Sequence, residues 1–459
     1  MPFFNEKAYY GDETPIAAIA TAHGISALSL IRISGKGSVE LLSKIFSRPQ
    51  ALKQAAANSV VYGWMLDDIC GARIDETLVS VYRAPKSFTG EDGADICCHG
   101  GLAAARSIMT ALLKSGFREA LPGEFSFRAF SNGKIDLSRA EAIMELVGSK
   151  TDTGRAKAVK RLAGAIETRI RSIQNELVSI LAEVELNLDY SEVDGIGDES
   201  EAFLEYEKLK AVLDSLDSLS SSFAGERIYR EGIKVVLAGA PNAGKSSLFN
   251  MLVQEERSIV SEIPGTTRDW LEAWISLKGI PVCLIDTAGL REDGGKIEKI
   301  GIERSRALTE SAELVLFILD GSTWTGSEDA LLAGIDTRRL IYVWNKADIV
   351  PKAAREDFLP VSATAGTGID ALCSAIVQRV EAIFKPCEDY ALGSDRQKLL
   401  VDEARNFLRE ALRLAGLNEA LELIAGELRG AVNALGEITG EVSSDDILNV
   451  IFSKFCVGK

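Results

Sequence analysis

The spacing of apolar residues changes along the chain. As far as about Phe130 they come in short β-branched runs closed by turn residues, Ala27 to Ile33 before Ser34-Gly35 and Thr77 to Tyr82 before Ala84-Pro85. That pattern predicts an α+β domain. From about Ser131 to Tyr190 a helical period takes over, and Ile166, Ile170, Ile173, Leu177, Ile180 and Val184 recur at alternating steps of four and three. They form one stripe of a long amphipathic helix. The acidic, glycine-containing stretch Asp189 to Glu201 reads as a solvated loop, followed by a second helical segment to about Phe223. Much later, Leu421, Ile424, Leu428 and Leu435 restore the helical period. The stretch between is then an insertion into a helical region, with its entry at Gly232 and its exit near Pro386 close together.

Within the insertion, four apolar, strand-like runs each deliver a short polar motif. Ile233 to Ala238 leads into Gly239-Ala-Pro-Asn-Ala-Gly-Lys-Ser246, the G-x-x-x-x-G-K-S pattern in its strand-to-helix setting. Gly239 and Gly244 let the backbone curl around phosphate oxygens, amides at the helix start donate, Lys245 neutralises the β- and γ-phosphates and Ser246 ligates magnesium. Val282 to Ile285 delivers Asp286-Thr-Ala-Gly289, where Asp286 holds the metal through water and Gly289 offers its amide to the γ-phosphate. Leu340 to Trp344 ends in Asn345-Lys-Ala-Asp348, and Phe358 to Val361 ends in Ser362-Ala363. The Asp348 carboxylate accepts two donors that guanine has and adenine lacks, so the nucleotide is GTP or GDP rather than ATP. Between the first two motifs, Pro264-Gly-Thr-Thr-Arg-Asp269 occupies the switch position. The fold expected is therefore multidomain: an α+β N-terminal domain over 1–130, a discontinuous all-α domain over 131–231 and 386–459, and an inserted α/β phosphate-loop GTPase domain over 232–385.

Length and composition agree, since 459 residues at ~150 per domain suggest about three domains. No apolar stretch reaches the ~18 to 20 residues that span a bilayer, and Met1 to Asp12 lacks a basic region followed by an apolar one. This argues against export and membrane insertion. Seven cysteines with no C-x-x-C pair point to a reducing cytoplasm. With only His23 and His99, a zinc site or a histidine-based hydrolase has almost nothing to be built from. A net charge of −16 excludes a protein that coats nucleic acid by electrostatics alone, so any RNA contact is local or shared with a partner.

Leu290 follows Asp286-Thr-Ala-Gly, so a water-orienting glutamine is replaced by an aliphatic residue. With Thr266-Thr267-Arg268-Asp269, Arg32-Ile-Ser-Gly35, Ser87-Phe-Thr-Gly-Glu-Asp92, His99-Gly-Gly101, Pro122-Gly-Glu-Phe125, Ile438-Thr-Gly-Glu441 and the terminus Phe455-Cys456-Val457-Gly458-Lys459, the whole chain closely resembles the MnmE or TrmE family of tRNA-modifying GTPases. The resemblance implies a folate-binding and dimerisation domain, a helical domain and an inserted G domain. It also implies a homodimer working with an FAD-dependent partner, MnmG, in a heterotetramer or larger complex. That complex adds aminomethyl or carboxymethylaminomethyl groups at carbon five of the tRNA wobble uridine.

Carried over by position, the nucleotide contacts are Asn242, Ala243, Gly244, Lys245, Ser246 and Ser247; Ser261, Glu262, Ile263, Pro264, Gly265, Thr266 and Thr267; Asp286, Thr287, Ala288 and Gly289; and Asn345, Lys346, Asp348, Ser362 and Ala363. The resemblance gives magnesium to Ser246 and Thr267, and potassium to Asn242, Ser261, Ile263 and Thr266. It makes Glu298 the acid that acts on water, beside Lys245 and Asp286, and gives Cys456 a part in the modification chemistry. For 5-formyltetrahydrofolate or a related folate it points to Arg32, Lys134 and Lys459, with Asp95 where the family usually has Glu. Asp is one methylene shorter. A ribosome-assembly or regulatory switch GTPase without a role in base modification is the alternative reading.

Overall fold

Six strands make the first sheet: β1 (Ile16–Ile19), β2 (Leu28–Ser34), β3 (Ser59–Leu66), β4 (Arg73–Tyr82), β5 (Gly93–His99) and β6 (Arg118–Glu119), in the order β3-β4-β5-β2-β1-β6. Every neighbouring pair is antiparallel except β1 with β6. Buried and solvent-facing residues alternate along β3 and β4, so one face is core. Ile31, Val61, Met65, Val79, Val81 and Ile96 cluster there with Leu42 of α1 (Ser38–Lys44), Leu52 of α2 (Pro49–Gln54) and Ile108 and Leu112 of α3 (Leu102–Ser115). In the computed structural model the residues described are 10–22, 24–67, 69–193, 206–255, 271–286, 308–323, 336–350, 353, 355–384, 391–441 and 445–459. They divide into two units, Met1–Met144 with Gly436–Lys459, and Glu145–Leu435.

The first unit takes in more than the strands. Behind α4 (Glu124–Ser131), Leu137 and Ala140 of α5 (Leu137–Gly148) cluster with Leu448, Phe452 and Phe455, and the ring of Phe452 meets Phe127 edge-on at 5.5 Å. Gly123 is glycine because it sits at φ 69 and a Cβ there would come within 2.5 Å of the Phe452 carbonyl. The end of the chain is therefore seated among the N-terminal elements.

In the second unit, α6 (Asp152–Leu162), α7 (Ala165–Val193) and α8 (Tyr206–Glu231) lead into the second sheet. Ile166, Ile170, Ile173, Leu177, Ile180 and Val184 are all buried, so the apolar stripe is the packed face of α7. The helical stretch before it is broken, not continuous: Thr151 accepts a bond from the Gly154 amide at 3.2 Å and caps a separate helix. The sheet comprises β7 (Ile233–Gly239), β8 (Leu271–Leu277), β9 (Ile280–Asp286), β10 (Leu314–Asp320), β11 (Leu340–Asn345) and β12 (Phe358–Pro360), in the order β12-β11-β10-β7-β9-β8. All pairings are parallel except β8 with β9. The nearly unbroken burial of β9 and β10 marks a sheet covered on both faces. α9 (Lys245–Glu255) and α10 (Ile369–Phe384) contribute Leu248, Leu252, Leu372 and Ile376 to the core on one face. Because the strands run parallel, Gly239, Asp286, Asp320 and Asn345 all stand at carboxyl ends on one edge, where ligands of such sheets bind.

After the sheet come α11 (Asp395–Gly416), α12 (Leu421–Thr439) and, in the first unit, α13 (Asp445–Phe452). α8 and α11 are joined by Ser220 to Asp402 at 2.8 Å and Arg405 to Asp217 at 2.6 Å. At the point where the chain enters the sheet, the Arg230 guanidinium donates to the carbonyl of Gly393, just past the exit. Beside it the buried Arg161 lies between Glu145 and Glu226, 2.6 Å from each, and Lys157 also reaches Glu226 at 2.7 Å. Removing a cation from such a cluster leaves buried carboxylates uncompensated. Arg161→Ala is expected to lower the unfolding free energy by about 3 kcal/mol, read as an earlier denaturant midpoint by circular dichroism, with Arg161→Lys recovering part of the loss.

Candidate functional site

Two glycines shape the loop after β7 for a steric reason. A Cβ on Gly239 (φ 144) would lie 2.2 Å from the Ile318 carbonyl oxygen on β10, and one on Gly244 (φ 94) would lie 2.1 Å from Asn345 Nδ2. Asn242 is also left-handed, at φ 60. The amide of Ala243 closes the turn onto the Ala240 carbonyl at 3.3 Å, and Leu248 N bonds to Gly244 O at 2.9 Å as α9 begins. The first-turn amides of a helix have no partner within it, and the helix dipole adds partial positive charge, so this hollow suits phosphate. Lys245 spans it, donating to the carbonyls of Ala240 at 2.8 Å and Gly239 at 3.2 Å. Ser246 Oγ donates to Oδ2 of the fully buried Asp286 at 2.6 Å. A hydroxyl and a carboxylate side by side at the phosphate hollow are the hard oxygen donors that magnesium takes, so the residues fit that ion.

One side chain ties this loop to the next two. Asn345 Nδ2 donates to the Ala243 carbonyl at 2.8 Å, and its Oδ1 accepts from the Ala363 amide at 3.2 Å. Ser362 Oγ donates to Asp348 Oδ1 at 2.6 Å, fixing that carboxylate by one oxygen. Lys346 has left-handed backbone, φ 62, and its Nζ bonds Asp320 Oδ2 at 2.6 Å. Burial pushes the Asp320 carboxyl up, but the bonds from Lys346 and Ser322 outweigh it and hold it at about 2. Asp320 belongs to none of the sequence motifs. Ser261, Glu262, Ile263, Pro264, Gly265, Thr266, Thr267, Thr287, Ala288, Gly289 and Glu298 lie outside the described residues.

The first unit has a second hollow, a cavity of about 190 Å³ lined by Arg32, Tyr82, Phe88, Thr89, Asp95 and Phe125 among others. Arg32 and Asp95 face each other across β2 and β5 and form a two-pronged ion pair, at 2.9 and 3.2 Å, with Tyr82 OH donating to Asp95 Oδ2 at 3.3 Å. Arg32 also donates to the Gly458 carbonyl at 3.4 Å. Burial, then the nearby Arg32 charge, lowers the pKa of Lys459, although Lys459 is not among the residues that line the cavity. Lys134 stands on the outside, donating to Pro85 O at 3.0 Å and bracing the segment whose Ser87, Phe88 and Thr89 form one wall. The exposed Cys456 contributes its carbonyl to the amides of Gly123 and Lys459, both at 3.3 Å.

Comparison with known proteins decides between the readings. The family described as GTP-binding protein TrmE N-terminus matches residues 15–134, and that described as MnmE helical domain matches residues 137–456. A protein of Treponema denticola named tRNA modification GTPase MnmE is 42% identical, covering 97% of this chain and 98% of its own. Proteins of the same name from Carboxydothermus hydrogenoformans and Acetivibrio thermocellus are 38% and 37% identical, each over 97% of this chain and 100% and 99% of their own. The chain belongs to the MnmE family of tRNA modification GTPases.

Membership of the MnmE family makes the chain a GTP hydrolase acting in tRNA modification. Its described phosphate-loop and base-side residues come together along one sheet edge, whereas Arg32 and Asp95 line the other cavity, Lys459 is close enough to feel the Arg32 charge without lining it, and Lys134 does not line it either. Gly244→Ala forces a left-handed alanine and displaces the Asn345 amide. At roughly 1 to 2 kcal/mol for the backbone and about 1 for the hydrogen bond, the expected loss of GTP affinity is on the order of 100-fold, measurable by nucleotide titration.

Proposed function

We propose that this chain is a potassium-dependent GTPase which, with the FAD-dependent MnmG, installs aminomethyl or carboxymethylaminomethyl groups at carbon five of the tRNA wobble uridine. The observation that carries the nucleotide half is the joining of Ala243, Asn345 and Ala363 by one buried carboxamide, beside Lys245 and the Ser246–Asp286 pair. GTP lies with its phosphates on the amides after β7, Lys245 against the β- and γ-oxygens, and the guanine edge on Asp348. Ser246 and Thr267 hold magnesium, which neutralises phosphate charge; Asn242, Ser261, Ile263 and Thr266 hold potassium, which supplies the charge that an arginine supplies elsewhere. Asn242 lies in the phosphate loop and carries a carboxamide oxygen, the kind of donor that such a cation takes. Leu290 cannot bond to water, and the family resemblance gives to Glu298 the role of orienting or deprotonating the water through a bridging molecule.

The first unit binds 5-formyltetrahydrofolate or a related folate at the Arg32–Asp95 cavity and pairs two copies, and the G domains meet when GTP is bound. The cavity suits a flat heterocycle with polar edges, having Phe88 and Phe125 beside a carboxylate that is paired with the Arg32 guanidinium. Cys456 takes part in the modification chemistry, and the protein works in the cytoplasm. GTP turnover is expected to be much faster in potassium than in sodium, and Glu298→Ala to abolish turnover while leaving GTP binding nearly intact; equal rates in both salts contradict the potassium role. A deletion strain should lack the wobble-uridine modification, and normal tRNA there overturns the modifying role. Arg32→Ala should weaken 5-formyltetrahydrofolate binding roughly 30-fold by isothermal titration, because it removes the cation that holds the partly buried Asp95 in place.

A further inference from the structure

Asp320 and Asn345 are register partners at the ends of neighbouring parallel strands. The two ends are clamped: Gly321 N donates to Asn345 O at 3.0 Å, and a Cβ on Gly321 would come within 2.8 Å of the Trp344 indole nitrogen. The Asp320 carboxylate is therefore fixed relative to the Asn345–Asp348 turn. Its Oδ1 accepts from Ser322 N at 2.9 Å and Ser322 Oγ at 2.5 Å, leaving Oδ2 to Lys346 at 2.6 Å. Lys346 is held at both ends. Its left-handed backbone carries the carbonyl that accepts from Ile349 and Val350, at 2.9 and 3.0 Å, and its ammonium is on Asp320.

We propose that Asp320 is a positioning residue for the nucleotide base, stretching the Lys346 side chain so that its methylene stem forms one flat apolar wall for the purine. An exposed ion pair contributes little because both side chains must be immobilised. Here the Asp320 side chain is only 10% exposed and already fixed by Ser322, so a bound purine meets a lysine whose rotamer freedom is already lost. With its carboxyl held at about 2, Asp320 stays ionised throughout the neutral range. The inference rests on the guanine placement proposed above.

The test is isothermal titration of GDP with magnesium on the full chain, with steady-state GTP turnover alongside. Asp320→Asn, which keeps the shape, and Asp320→Ala should each raise the Kd for GDP about tenfold, with the loss in turnover falling on KM more than on kcat. Lys346→Ala should do the same, and the double variant Asp320→Ala/Lys346→Ala should bind no more weakly than Lys346→Ala alone. Wild-type affinity in both Asp320 variants, additive losses in the double variant, or a loss confined to kcat overturns the proposal. Asp348→Ala separates the two layers: if it leaves GDP affinity intact, the guanine placement itself fails, whereas if it alone weakens binding, only the role of Asp320 fails.

Discussion

The side-chain amide of Asn345 bonds to backbone at both ends, to the Ala243 carbonyl and from the Ala363 amide, and it is almost wholly buried. A carboxamide is costly to bury unless its donors and acceptors are met. Once met, it fixes two loops that come from distant parts of the sequence to the end of β11. Gly244 has to be glycine because this amide occupies the space a side chain would need. On the other flank, Gly239 has to be glycine because β10 passes against it. The phosphate hollow is thus held by strand ends rather than by the loops themselves, which suits a site that must already be formed when a charged ligand arrives.

The first unit depends on a different constraint, the burial of Glu124. This carboxylate has no solvent exposure and is met by Arg118 at 2.6 Å, Arg128 at 3.0 Å and the Leu121 amide at 2.9 Å. Arg128 continues to Glu91 at 3.2 Å, and Glu91 accepts from Ser34 Oγ at 2.7 Å on the cavity wall. Buried charges that are paired and hydrogen-bonded fix geometry more than they add stability. The same Ser34 hydroxyl meets Thr89 at 2.7 Å, so the segment carrying Thr89 is braced from within.

Much of this was legible because backbone demands dictate residue type. The phosphate loop needs glycines where neighbouring backbone passes, and doubly covered strands need apolar runs, so β7, β9, β11 and β12 could be read directly. β10 escapes a motif-led reading although Leu314–Asp320 is as apolar as its neighbours, because its terminal Asp320 opens no familiar motif; a carboxylate closing such a run is the available signal. β8 is a half-covered edge strand and gives a weaker pattern. The break in the helical stretch was written in Ser149 to Asp152 as a capping sequence, yet the apolar period ran across it. Arg32 and Asp95 are far apart along the chain, and only the register of β2 against β5 makes them partners. The same holds for Tyr82 and Glu124, whose roles come from what the sheet brings beside them.

The most direct measurement is a crystal structure of the chain with GDP and magnesium. The account requires the β-phosphate among the amides that open α9, the metal on the Ser246 hydroxyl, and the guanine edge on Asp348 while Asn345 keeps both of its backbone bonds. A nucleotide seated elsewhere, or an Asn345 side chain that swings away when GDP binds, would contradict it.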